Sequence, residues 1–180
     1  MQVPGGAAPL SGTSPEQPSP PGPAGAAAEP RHSIAGPLGL AAAVVVVDQI
    51  TKVWAVAELS DRSIEVIGQT LRLRLTRNPG GAFSLLTGFT PILAALAVVM
   101  AVFLVRTARR TPDRIMAYAL GAVLGGAVGN LLDRFLRDPG FLRGHVVDFI
   151  DLSFWPTFNV ADIGISLGVV LIALRSMRQP

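Results

Sequence analysis

The chain has 180 residues, half of them hydrophobic and only 15% charged, with a mean hydropathy of +0.50. Soluble domains carry about 25% charge, so this composition excludes an ordinary soluble domain and points to an integral membrane protein. Cysteine is absent and only His32 and His145 are imidazoles, which excludes disulfides, thiolate catalysis and Cys-ligated metals, and argues against a His-rich metal site.

The net charge of +3 rests on 14 arginines and one lysine. No basic stripe with interleaved aromatics occurs, so membrane topology and headgroup contact are the expected roles and nucleic acid is not an expected partner. Residues 1–35 form a Pro/Gly/Ala/Ser segment, and nine of the 15 prolines lie in residues 1–37. Proline denies helix hydrogen bonds, and few large apolar side chains are present to bury. The segment reads as a disordered cytoplasmic tail. It lacks the basic start and immediate apolar core of a secretory signal.

A first span is predicted over about 36–57. Asp48 interrupts its apolar run, and Lys52 follows at i+4, so the two can pair on one helix face. An ionisable pair inside a span usually faces protein. The alternative is a snorkelling pair that ends the span at the interface. Residues 63–68 and 70–77 then alternate apolar and polar with period two. That predicts a small hairpin outside the bilayer, turning at Gly68-Gln69, with Arg72, Arg74 and Arg77 on its solvated or headgroup side. Asn78-Pro79-Gly80-Gly81-Ala82-Phe83-Ser84 breaks the strand. It reads either as a plain turn or as a loop whose Asn78 amide points into a site. A short surface helix over 82–86 is a further expectation.

The second span is expected over about 85–105, which carries no charge, and four arginines follow within residues 106–114. Under the positive-inside rule that cluster marks the cytoplasmic loop. The third span runs over about 115–135, with small-x-x-x-small spacings among Gly121, Gly125, Gly126 and Gly129 suited to close helix packing. Its 18 uncharged residues before Asp133 rise roughly 27 Å, close to the hydrocarbon thickness. The outer loop 136–157 includes a strand-like segment over 145–152, with Asp148 and Asp151 just outside the bilayer. The last span covers about 158–177. Four spans put both termini on one side, cytoplasmic if the arginine loop is. The expected architecture is therefore an all-α membrane domain over 36–178, with outer loops 58–84 and 136–157 and a small extracytoplasmic sheet.

Asn130-x-x-Asp133 ends the third span and Asn159-x-x-Asp162 begins the fourth. Asn130, Asp133 and Arg134 project from one helix face. Two carboxylates near one membrane level, in a dry place, cannot both ionise cheaply. One keeps a proton while the other acts as base, an arrangement able to activate water against a carbonyl. The competing reading of Asn159 and Asp162 is a local helix cap. It suits Asn130 and Asp133 less, because a negative charge is disfavoured at a helix C-terminus.

Five motifs in order carry a family resemblance: Asp48-Gln49-Ile50-Thr51-Lys52; Arg77-Asn78-Pro79-Gly80-Gly81-Ala82-Phe83-Ser84; Gly125-Gly126-Ala127-Val128-Gly129-Asn130-Leu131-Leu132-Asp133-Arg134; Val146-Val147-Asp148-Phe149; and Phe158-Asn159-Val160-Ala161-Asp162. With the four spans, this pattern resembles lipoprotein signal peptidase, or signal peptidase II, of bacterial inner membranes. The resemblance implies an aspartic endopeptidase with Asp133 and Asp162 as catalytic dyad. It implies that Asp48, Lys52, Asn78, Gly80, Asn130, Arg134, Asp148 and Asn159 shape the site or hold substrate. The implied substrate is a diacylglyceryl-modified prolipoprotein, cleaved on the amino side of its lipidated cysteine. Globomycin-type peptides are the implied inhibitors and membrane lipids further partners. No cofactor or metal is implied, and the chain is expected to act as a monomer. Two departures stand out: the tail at 1–35 is extra, and Gly80-Gly81-Ala82-Phe83 replaces the family's common Gly-Ala-Ala-Phe. The 78–84 loop is expected to close over the site. A small proton-coupled transporter or channel is the rival reading, since intramembrane Asp and Arg also mark ion paths. A structural assembly factor would leave the ionisable cluster unexplained.

Overall fold

A computed structural model describes residues 33–79 and 90–178. The expectations for the tail, for Gly80, for the 82–86 helix and for most of the 78–84 loop lie outside the described residues. Within them the order is α1 (Ala35–Glu58), β1 (Ile64–Ile67), β2 (Leu71–Asn78), α2 (Thr90–Arg110), α3 (Arg114–Leu136), β3 (Val146–Leu152), β4 (Trp155–Phe158) and α4 (Val160–Ser176).

The four predicted helical runs all form helices. Two of them, α1 and α3, are long and apolar enough to cross a membrane. α2 continues one turn past its apolar run, through Arg106, Arg109 and Arg110. Asp113 starts α3, its carboxylate accepting from the backbone N–H groups of Ile115 (2.9 Å) and Met116 (3.2 Å). That satisfies two of the donors a helix start leaves unpaired. Asp113 also pairs with Arg175 near the end of α4.

α3 is the centre of the bundle, packed by α1, α2 and α4. Its glycines let neighbours approach on two sides. A Cβ on Gly125 would lie 2.6 Å from the Ala41 carbonyl oxygen of α1, and one on Gly126 would lie 2.7 Å from Ile165 Cγ1 of α4. No side chain fits at such distances, so the small residues of the sequence set the helix spacing.

The strands form one antiparallel sheet in the order β1-β2-β3-β4. The predicted hairpin is β1-β2, with Gly68 at φ +47° in its turn, a conformation glycine adopts without steric cost. β2 pairs with β3 through Asn78 opposite Val146 and Arg72 opposite Asp151. Arg72 and Arg74 do not simply face solvent or headgroups. Both bind the Asp151 carboxylate, at 2.9 and 3.2 Å. The sequence reading gave residues 155–157 to the loop and began the last span at 158, whereas Trp155–Phe158 is a strand. Pro156 conceals it, and it is tolerated because β4 lies at the sheet edge. Phe149 of β3 packs with Ala55 of α1 and with Leu59 just past its end in a buried cluster, which fixes the sheet against the bundle.

Candidate active site

Two clusters of carboxylates meet where the sheet crosses the ends of α1, α3 and α4. In the first, Lys52 Nζ lies 2.9 Å from Asp48 Oδ2 and 2.8 Å from Asp133 Oδ2, with all three side chains fully buried. The i,i+4 pair of the sequence therefore faces protein and is not a snorkelling pair. Arg137 adds a second cation, its Nε donating to Asp133 Oδ1 at 2.7 Å. Gln49 donates to the Gly129 carbonyl at 3.0 Å and stands 3.1 Å from Asp48 Oδ2. Asp48 Oδ1 accepts the backbone N–H of Ala161 at 2.9 Å, at the donor-rich start of α4. Two aspartates and two cations thus tie α1, α3 and α4 together. Gly129 makes room for the cluster, since a Cβ there would stand 2.7 Å from Asp48 Oδ2.

Asp133 also reaches the sheet. Its Oδ2 accepts the backbone N–H of Val147 at 3.1 Å. Next to it, the Arg134 guanidinium donates to the carbonyls of Asn78 and Gly144, both at 2.8 Å. These bonds hold the end of β2 and the start of β3 against α3. The residue so positioned is Asp148.

Asp148 belongs to the second cluster, which amides hold together. Its Oδ2 accepts from Asn78 Nδ2 at 3.1 Å and its Oδ1 from Asn159 Nδ2 at 2.6 Å. Asp162 Oδ1 accepts from Asn130 Nδ2 at 2.8 Å, and its Oδ2 accepts the backbone N–H of Asn159 at 3.3 Å. Asn159 Oδ1 in turn accepts the Asp162 backbone N–H at 3.0 Å, completing the capping box. The cap and the site are one structure: the Asn159 side chain starts α4 and touches Asp148. Lys52 donates to Asn130 Oδ1 at 2.9 Å and Asn159 Nδ2 lies 3.1 Å from the same oxygen. That fixes which end of the Asn130 amide faces Asp162.

A cavity of about 480 Å³ opens onto this second cluster. Asn78, Asn130, Arg134, Asp148 and Asp162 line its polar part, and Ala94, Ala97, Ala127, Leu131 and Ile165 its apolar part. Asp48, Lys52 and Asp133 do not line it. The Asp148 carboxyl is 3% exposed and is pushed up to about 6. Burial is the main cause, the neighbouring Asp162 charge adds to it, and hydrogen bonds from Asn78 and Asn159 together with the Lys52 charge oppose it. The sequence reading paired Asp162 with Asp133. In the structure the carboxylate that shares the cavity with Asp162 is Asp148, while both oxygens of Asp133 are engaged by cations. Sequence reasoning also passed over Gln49, Arg137 and Gly144. Arg137 was accessible as the i+4 partner of Asp133. A Cβ on Gly144 would collide with the Asp133 and Arg137 carbonyls, a constraint visible only in three dimensions.

The chain as a whole has known counterparts. The signal peptidase (SPase) II family model matches residues 40–178. The chain belongs to the signal peptidase II family. The lipoprotein signal peptidase of Rhodococcus jostii is 46% identical over 139 residues, 77% of this chain and 70% of that protein. The lipoprotein signal peptidase of Mycolicibacterium smegmatis is 42% identical over 158 residues, 87% of this chain and 67% of that protein. Among solved structures, a bacterial membrane enzyme determined by the in meso method at 2.3 Å resolution superposes with a TM-score of 0.72 at 30% identity, covering 82% of this chain and 91% of the other. Membership in the signal peptidase II family makes this chain a peptidase with a membrane-enzyme fold.

Proposed function

We propose that this peptidase removes the signal peptide from lipid-modified prolipoproteins, with Asp148 and Asp162 as its water-activating pair. All four helices cross the bacterial cytoplasmic membrane in this reading, the termini are cytoplasmic and the sheet lies at the outer face. One observation carries the assignment: Asp148 and Asp162 line the same cavity and are bridged by Asn159, whereas Asp133 is buried between Lys52 and Arg137 away from it.

The chemistry follows from the environments. Asp133 is held by ion pairs to Lys52 and Arg137 and does not line the cavity, which keeps it from a substrate bound there. Two carboxylates held by neutral amides in a partly apolar cavity can share one proton. The ionised member takes a proton from water as the water oxygen attacks the scissile carbonyl carbon. The protonated member gives its proton to the carbonyl oxygen. Collapse of the resulting diol breaks the C–N bond and passes a proton to the leaving amine. The apolar walls formed by α2, α3 and α4 suit the flank of a signal-peptide helix, and Arg134 and Asn78 lie at the polar end where the scissile segment would emerge.

The deciding experiment is cleavage of a diacylglyceryl-modified prolipoprotein by the purified protein in detergent, with and without a chelator. Asp148→Asn and Asp162→Asn are expected to be folded and inactive, and wild-type cleavage is expected to survive the chelator. Asp133→Asn is expected to lose thermal stability first and activity as a consequence. An active Asp148→Asn beside a folded, inactive Asp133→Asn would restore the Asp133–Asp162 pair. No cleavage by folded wild type on several lipid-modified substrates would favour the transporter reading.

A further inference from the structure

A second cavity lies along α1, α2 and α3, lined by other residues than the site, and nothing in the peptidase chemistry uses it. α1 and α2 both pack on α3 but make little contact with each other. The gap between them is a trough of about 650 Å³. Ala41 and Val45 of α1 form one wall, Ala101 and Val105 of α2 the other, and Leu124 and Gly125 of α3 the floor. A trough of this size is within the range of small-molecule sites, roughly 300–1,000 Å³. Its lining is apolar except at one end, where Arg106 and Arg109 of α2 close it. That end is the one opposite the sheet, because α2 terminates there.

The two arginines are three residues apart and share a helix face. Both are exposed, no acidic residue lines the trough, and among the described residues neither arginine makes an ion pair. The other arginines near carboxylates behave differently: Arg72, Arg74, Arg137 and Arg175 each hold an aspartate. An apolar slot bordered by the two most membrane-suited helices, ending in two uncompensated guanidinium groups, is complementary to one kind of molecule. It must carry a long apolar chain and end in an anion. Guanidinium binds phosphate through paired N–H donors, and basic pockets between spanning helices recognise anionic headgroups.

We propose that this trough is a binding site for an anionic glycerophospholipid, with an acyl chain between α1 and α2 and the phosphate between Arg106 and Arg109. The proposal rests on the reading of α1, α2 and α3 as membrane-embedded but not on the identity of the catalytic pair. The lipid would brace α2 against α1, two helices that otherwise make little contact.

Native mass spectrometry of the full-length protein in detergent tests it. The protein is titrated with phosphatidylglycerol and, separately, with phosphatidylcholine of the same acyl chains. Wild type is expected to retain phosphatidylglycerol with a preference on the order of tenfold or more, and Arg106→Gln/Arg109→Gln to reduce that preference to about twofold or less. Ala101→Phe fills the trough and is expected to weaken retention of both lipids. The surface arginine variant keeps the test decisive if Ala101→Phe does not fold. Equal retention of the two lipids by wild type, or an undiminished preference in the double arginine variant, overturns the site. So does a dimer, lost in Ala101→Phe, in place of bound lipid, since the trough would then hold a second chain. Cleavage of lipid-modified substrate, measured on the same preparations, separates the two readings: lipid preference without cleavage would overturn the peptidase assignment and leave the lipid site standing.

Discussion

The two carboxylate clusters differ in what compensates their charge. Asp48 and Asp133 face cations: Lys52 pairs with both, and Arg137 pairs with Asp133. Asp148 and Asp162 face the amides of Asn78, Asn130 and Asn159, which stabilise a carboxylate without fixing it. The first cluster lies beneath the second and hands it geometry, through the Val147 N–H on Asp133 and the Lys52 ammonium on Asn130. In the proposed mechanism these four aspartates divide into a clamp and a reactive pair, according to whether cations or neutral amides surround them.

The largest effect expected is at the reactive pair. Asp148→Asn or Asp162→Asn should lower the cleavage rate by about a thousandfold or more, since each removes a proton carrier from the transition state. Circular dichroism and melting in detergent should show both variants folded. A clamp residue behaves otherwise. Lys52→Met leaves Asp48 and Asp133 buried against one another, and breaking a buried pair by removing one partner costs about 3–5 kcal/mol. Its melting temperature should fall steeply, and adding Asp133→Asn should recover part of the loss. Full stability in Lys52→Met would mean that the cluster does not hold the three helices together.

Asn159 joins the two kinds of role, so its variant sharpens the contrast. Asn159→Ala loses the α4 cap, worth about 1–2 kcal/mol, and also the bond to Asp148 Oδ1. Asn159→Ser can cap but cannot reach as an amide. It should restore most of the stability and little of the rate, a split seen by measuring melting and kcat on the same samples.

Most of the scaffold was legible in the chain itself. Apolar runs gave four helices, period-two alternation gave the β1-β2 hairpin, and the spacing of Asp48 and Lys52 gave their pairing. That Asp148, and not Asp133, lines the cavity with Asp162 was not legible, for a physical reason. Asp133 and Asp162 share an Asn-x-x-Asp spacing and lie at helix ends, which made them look equivalent. Their difference comes from Lys52 and Arg137, and from a strand 15 residues beyond Asp133 that delivers Asp148 to the cavity. Asp148 stood in a short β-like segment with no local sign that it would face Asp162. β4 was missed because its Pro156 argues against a strand unless its edge position is known.

The smallest effect is also the one whose sign is easiest to get wrong. The Asp148 carboxyl is displaced upward to about 6, chiefly by burial, with Asp162 adding and Lys52 opposing; Arg134 also feels its charge. The native state therefore holds a proton there that the unfolded chain releases near pH 3.8. With fewer protons on the unfolded chain, stability falls as pH rises from about 4 to about 6 and then levels off. The displacement sets a ceiling of roughly 3 kcal/mol on that loss. Asp148→Asn removes the ionisation and with it the loss. It keeps only one acceptor oxygen for the two amide donors of Asn78 and Asn159, which costs about 1 kcal/mol at every pH. The variant should therefore melt about a few degrees above wild type at pH 8 and at or below it at pH 4, while being inactive at both. A difference in melting temperature that does not change with pH would mean that Asp148 does not titrate upward in the folded state, and the distinction between clamp and reactive pair would fail at the residue on which it depends most.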